Sequence, residues 1–289
     1  MELESSGVIM SNNKENWLLR LVNLDQRYYY LALIILLVTP IIRPIGLPIL
    51  VTAPTKDFYQ YVNNNIQEND KILIWGGMSV GFWPTEYKPG VIAAVQHFFD
   101  IGAKIYWISD ATEDPVICDQ YVFPTIRKGS AVYGVNYVNL GYYSGGEMAM
   151  SAFAKDISSL VTQDYYRTPV NQLPMMREVS DANDFDFVIH ITGSPPEWLL
   201  RQYNSAYGKD CGFISISGMM GIYLPYYASG QLVGFINGLR GGAEYETLTG
   251  NPGIGLASTD TVSTGHIFFS FLIVFTNVLY LIKRRLNKQ

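Results

Sequence analysis

Apolar positions fall into two patterns along this chain. Long uninterrupted runs lie near the two ends, and short runs alternate with amphipathic stretches between them. The first long run, YYYLALIILLVTPII, extends from Tyr28 to Ile42 between Arg27 and Arg43. The second, TVSTGHIFFSFLIVFTNVLYLI, extends from Thr261 to Ile282 between Asp260 and Lys283. The second is long enough to cross a hydrocarbon core of about 30 Å as a helix. The first reaches that length with a few flanking residues, because Arg43 can extend its guanidinium toward the headgroups. Pro54 directly follows the small-residue stretch Val51-Thr52-Ala53, and a long polar prelude precedes the run. Both features favour a retained anchor over a cleaved signal peptide.

Between the runs the periodicity changes. KILIWGG (Lys71 to Gly77) is a short apolar run closed by glycines, followed by PGVIAAVQHFFDIG with Val91, Ala94, Val95 and Phe98 on one helical face. AKIYWISDA and VYGVNYVNLG read as the next strands, and GGEMAMSAFAKDISSL as a helix. DFDFVIHIT pairs with PPEWLLRQY, and CGFISISG is a fifth strand leading into ASGQLVGFINGLRGG. A short helix over 56–66 precedes the first strand, and 161–185 is a polar connection. Continuous apolar strands alternating with helices predict a mostly parallel sheet covered on both faces. The expected fold is a three-layer Rossmann-like or flavodoxin-like α/β domain of about five strands, with one transmembrane helix at each end.

The segment after the fifth strand carries Gly230, Gly234 and Gly238 at intervals of four. Its place predicts the closing helix of the α/β domain, with the glycines as a ridge. That ridge packs closely within the domain or against a neighbouring subunit. A third membrane span fits less well, since Pro225, Gln231, Asn237 and the glycines dilute its hydrophobicity.

Charge orients the chain. Lys283, Arg284, Arg285 and Lys288 follow the second run, and no basic residue lies between Gly241 and Ile282. This bias places the C-terminus in the cytoplasm, and Lys14, Arg20 and Arg27 place the N-terminus there too. The expected organisation is a cytoplasmic prelude over 1–27 and an anchor over 28–50. An extracytoplasmic domain over 51–260, a second span over 261–282 and a basic tail over 283–289 complete it. Trp17, Leu18, Leu21 and Leu24 in the prelude have the spacing of an interfacial helix. The body between the spans carries 12 basic and 21 acidic residues, a net charge of −9, which argues against nucleic acid or anionic lipid as its partner.

Candidate chemistry gathers at strand ends, where parallel α/β sheets bind ligands. Those positions are Gly76, Gly77 and Ser79; Asp110; Ser144, Gly145 and Gly146; and Thr192, Gly193 and Ser194. Glycine and serine there can present free N–H groups to an anion. However, GGMSVG stands where a dinucleotide fingerprint would have G-x-G-x-x-G, and no P-loop signature occurs. In SDATEDP, Asp110, Glu113 and Asp114 are ordinary capping residues as readily as cation ligands. His190 sits inside an apolar strand and reads as a core residue. Cys118 and Cys211 make no disulfide framework. No catalytic residue, metal site or cofactor is assigned. The expected function is protein–protein interaction or assembly, as a homo-oligomer or with other subunits of a membrane complex. The alternative is binding or hydrolysis of a small anionic, phosphate- or nucleotide-like ligand at the strand ends.

Overall fold

The computed structural model describes residues 25–286. The expected interfacial helix of the prelude lies outside the described residues, as do the last three residues of the basic tail. The chain divides into a unit spanning Pro48–Leu256 and a second made of both chain ends, Met1–Leu47 with Ala257–Gln289.

The larger unit is a six-stranded parallel sheet. Its strands are β1 (Lys71–Gly76), β2 (Lys104–Ser109), β3 (Tyr137–Tyr142), β4 (Phe187–Ile191), β5 (Cys211–Ser215) and β6 (Gly234–Asn237), in the spatial order 3-2-1-4-5-6. All five ladders are parallel. This is the order of doubly wound dinucleotide-binding sheets, with the topological switch between β1 and β4.

Strand residues alternate between two cores. Ile72, Ile74, Ile105, Trp107 and Ile189 face one, and Leu73, Trp75, Tyr106, Ile108 and Val188 face the other. Helices α1 (Gln26–Ile42), α2 (Ala53–Asn65) and α3 (Lys88–Ile101) come first in the chain. Of these, α2 and α3 cover the first core through Phe58, Val62, Val91, Val95 and Phe98. A short α4 (Asp114–Ile117) runs into a wide turn, Cys118–Val122, on the same face. Helices α5 (Glu147–Lys155) and α6 (Ile157–Leu160) cover the second core. The turns of Pro174–Glu178 join them there, burying Met175 and Met176, so the polar connection contributes to the core.

Two expectations are corrected. The sheet has six strands rather than about five, because the glycine-spaced segment is turn and strand as far as Asn237 and turns helical only from Gly238. After α7 (Glu197–Leu199) and β5 comes α8 (Met220–Ala228), then β6, and only then α9 (Gly238–Thr249). Gly230 and Gly238 have φ of +78° and +59°, which a right-handed helix does not permit. Gly234 lies in β6, where a Cβ would stand 2.5 Å from the backbone of Pro54 and Phe58 in α2. The three glycines therefore form no ridge: two turn the chain and one lets a strand approach a helix. Cys118 and Cys211 are both buried and free.

The second unit contains α1 and, from Ala257 onward, α10 (Ile254–Leu286). Among the described residues one helix, Ile254–Ile282, is long and apolar enough to cross a membrane by length and composition. It begins seven residues earlier than the apolar run suggests. The N-terminal helix has 17 residues, about 25 Å of rise. It stops at an extended Arg43 because Pro44 disfavours helical backbone at the preceding residue. The full expected anchor over 28–50 is thus not one helix.

Candidate functional site

The switch point lies at the carboxyl ends of β1 and β4, and β1 ends in Gly76 and Gly77. Gly77 donates its N–H to Ile191 O at 2.7 Å, extending the β1–β4 ladder by one bond. Neither glycine tolerates a side chain, and the obstruction is the protein's own carboxylates. A Cβ on Gly76 would fall inside the Asp114 side chain. One on Gly77 would stand 2.8 Å from Asp110 Oδ1 and 3.0 Å from Ile191 O.

Asp114 is fully buried. Its Oδ1 accepts from Trp107 Nε1 at 2.7 Å and Ser109 Oγ at 2.6 Å, and its Oδ2 from the Met78 N–H at 3.0 Å. Burial pushes its carboxyl up to about 6, against the pull of these three donors, and the charge of Asp110 adds to the rise. Glu113 reaches the same loop and accepts the Val80 N–H at 2.6 Å. Two consecutive carboxylates thus serve the β1 loop, whose N–H groups face pyrophosphate in a dinucleotide-binding protein.

Asp110 points elsewhere. Its Oδ2 lies 3.1 Å from His190 Nε2, and the imidazole is almost wholly buried against Phe213. Among the described residues His190 Nδ1 has no hydrogen-bond partner. The partly exposed member of the pair is the carboxylate. Because Asp110, Glu113 and Asp114 face three different partners, they do not converge on a cation. Among the described residues no group of three His, Cys, Asp or Glu side chains is arranged to hold a metal.

The other strand-end positions divide between two places. Thr192 joins the switch point: it is buried, its Oγ1 accepts from the Ser194 N–H at 3.1 Å, and its carbonyl accepts from Ser215 Oγ at 2.8 Å. Gly193 lies against Ile216 and the Tyr87 hydroxyl. Ser79 acts through its carbonyl, which accepts the N–H groups of Phe82 and Trp83. Ser144, Gly145 and Gly146 stand apart. Gly145 and Gly146 have φ of +124° and +53°, and the Trp198 ring covers Gly146. Among the described residues no hydrogen bond joins this loop's side chains to Asp110. The α5 helix that it opens has its first-turn Glu147 bound by Arg201 through two N–H groups, at 2.7 and 2.6 Å. That pairing holds the Glu147 carboxyl down at about 2.

A cavity of about 180 Å³ remains beside β6, away from the switch point, with Thr52, Met220, Phe235, Arg240 and Glu244 in its wall. Glu244 is buried and accepts from the Thr52 N–H and hydroxyl at 3.0 and 2.7 Å and from Arg240 Nε at 3.1 Å. The one cation in this wall is therefore already paired.

No family model, curated protein or solved structure matches this chain.

Sequence reasoning missed the pairing of His190 with Asp110, which are 80 positions apart, and the role of Asp114 as a buried acceptor. The first has no local signal, since it depends on β2 and β4 both flanking β1. The second had one: Trp107, Ser109 and Asp114 lie within eight residues, and two buried donors near a carboxylate call for an acceptor.

Proposed function

We propose that this protein is a membrane-anchored assembly subunit whose α/β domain serves as a binding surface for other proteins. The observation that carries this reading is the state of the switch point. Its glycines make room for Asp110 and Asp114, and two of its loop N–H groups, those of Met78 and Val80, are met by Asp114 and Glu113. An anionic ligand there would have to displace two carboxylates, one of them buried beneath the sheet's edge. The fold's usual ligand position is thus built as structure, which leaves the domain's outer surface to carry the function.

Anchoring at both ends is the second part of the proposal. The C-terminal helix has the required length. The shorter α1 lies alongside it within the same unit, with Leu37 against Gly265 and the Thr261 hydroxyl directed at Leu37 O. A short apolar helix paired in this way can serve as a membrane segment when extended flanking residues and Arg43 reach the interface. The Lys283–Arg285 cluster favours a cytoplasmic C-terminus, and an extracytoplasmic body follows.

Two measurements on the full chain in mild detergent test the reading. Native mass analysis should give particles larger than one chain. Calorimetry with ATP, NAD and inorganic phosphate should give no heat of binding. A strict monomer that binds any of these at micromolar concentration overturns it.

A further inference from the structure

The carboxyl-end face of the sheet has a second property that the filled switch point does not explain. Successive strands end in loops or first turns that hold large apolar side chains in solvent. Val80 and Phe82 follow β1, Tyr142 and Met148 close β3 and open α5, Trp198 follows β4, and Ile222 follows β5. Phe82 is 50% exposed and Met148 77%. Apolar side chains grouped in this way on one face mark an interaction surface.

These loops are tied to one another. Glu113 holds the Val80 N–H, and Arg201 with Gln202 holds Glu147 beside Met148. The Tyr223 hydroxyl donates to Ser194 O at 2.6 Å, and the Tyr226 hydroxyl to Glu197 at 2.7 Å. The apolar groups are therefore presented by a hydrogen-bonded frame that binding need not order, which lowers the entropic cost of association.

The same loops are acidic. Glu86, Asp110, Glu113, Asp119, Glu147 and Glu197 are all at least partly exposed. Among the described residues Lys88 and Arg201 are the cations in these segments, two against six acids, and Glu147 already pairs with Arg201. An apolar centre within a negative rim repels an anionic bilayer and nucleic acid. It also repels a second copy of itself, because a two-fold contact would set acid against acid. We infer that this face docks a partner subunit whose contact surface is apolar at its centre and rich in Lys and Arg around it. The inference rests on the assembly reading and specifies which face is used and what the partner must carry.

Photo-crosslinking in native membranes tests it. The full chain carries p-benzoylphenylalanine at Phe82 or at Trp198, with Val132, an exposed apolar residue ahead of β3, as the control position. Adducts are identified by mass spectrometry after each variant is shown to melt at the native temperature. Positions 82 and 198 should give adducts to a segment of another protein that is rich in Lys and Arg. Their yield should fall at least about fivefold with Asp119→Lys and Glu197→Lys together, or with salt raised to about 0.5 M. Adducts to lipid, to a second copy of this chain, or at no more than the Val132 level would overturn the inference. If the particle is larger than one chain but positions 82 and 198 stay silent, the face is wrong while the assembly reading stands. If the particle is a single chain, the assembly reading itself fails.

Discussion

Gly76 ends a central strand at the point where the Asp114 carboxylate fills the space a side chain would need. In a dinucleotide-binding sheet the glycines after the first strand make the turn and let the backbone approach a pyrophosphate; here Gly76 admits the protein's own acid. Gly76→Ala forces Asp114 or Trp107 to move and should destabilise the chain by about 1–3 kcal/mol. Thermal unfolding in detergent measures it. A neutral result would mean that the carboxylate has free space.

Asp114 also makes stability depend on pH. Its carboxyl is raised to about 6 in the fold from an ordinary 3.8. Between those values the folded state holds a proton that the unfolded state has lost, so stability falls as pH rises from about 4 to about 6. The shift corresponds to about 3 kcal/mol as an order of magnitude. Asp114→Asn loses the acceptor for the Met78 N–H and should be less stable at pH 4. Its deficit relative to the native chain should shrink as the pH is raised to 7, as denaturant titrations would record.

The three spaced glycines should respond unequally. Gly230→Ala meets open space and only the left-handed backbone penalty, about 1 kcal/mol. Gly234→Ala drives a methyl into the backbone of α2 and should cost about 3 kcal/mol or more. A helix ridge would give both substitutions similar effects, so the ratio of the two unfolding energies separates the arrangements.

Asp260 joins the chain's two ends within the helical unit. Its carboxylate accepts the N–H groups of Ile45, Gly46 and Leu47 at 2.7, 2.8 and 3.0 Å. Asp260→Ala leaves three donors unmet and should cost about 3 kcal/mol of the pairing between α1 and α10. Cysteines introduced at Leu37 and Gly265 should form a disulfide efficiently in the native background. In the Asp260→Ala background they should do so several-fold less.

Cys118 and Cys211 are fully buried, and burial pushes both thiols up. The folded chain should resist a polymer-tagged maleimide at pH 7 for hours. The denatured chain should take up two tags within minutes, read as a gel shift. Rapid labelling of the native chain would contradict the packing around either residue.

Much of the architecture was legible in the order of residues. Apolar runs such as KILIW and KIYWI are too short for helices and too continuous for one-sided strands, so they called for a covered parallel sheet. The sixth strand escaped because VGFIN is brief and bordered by glycines, and three glycines at intervals of four fit a helix face equally well. The sixth strand is decided by what lies opposite Gly234, the backbone of Pro54 and Phe58 from 180 residues earlier.

By itself, the sequence determined the alternation, the fold class and the apolar C-terminal helix, because each depends on the periodicity of nearby side chains. Only the tertiary structure decided the strand order, the meeting of Asp110 with His190 and the filling of the switch point by Asp114 and Glu113. Those depend on which strands neighbour β1. A glycine or carboxylate has no fixed role until a distant segment supplies its partner.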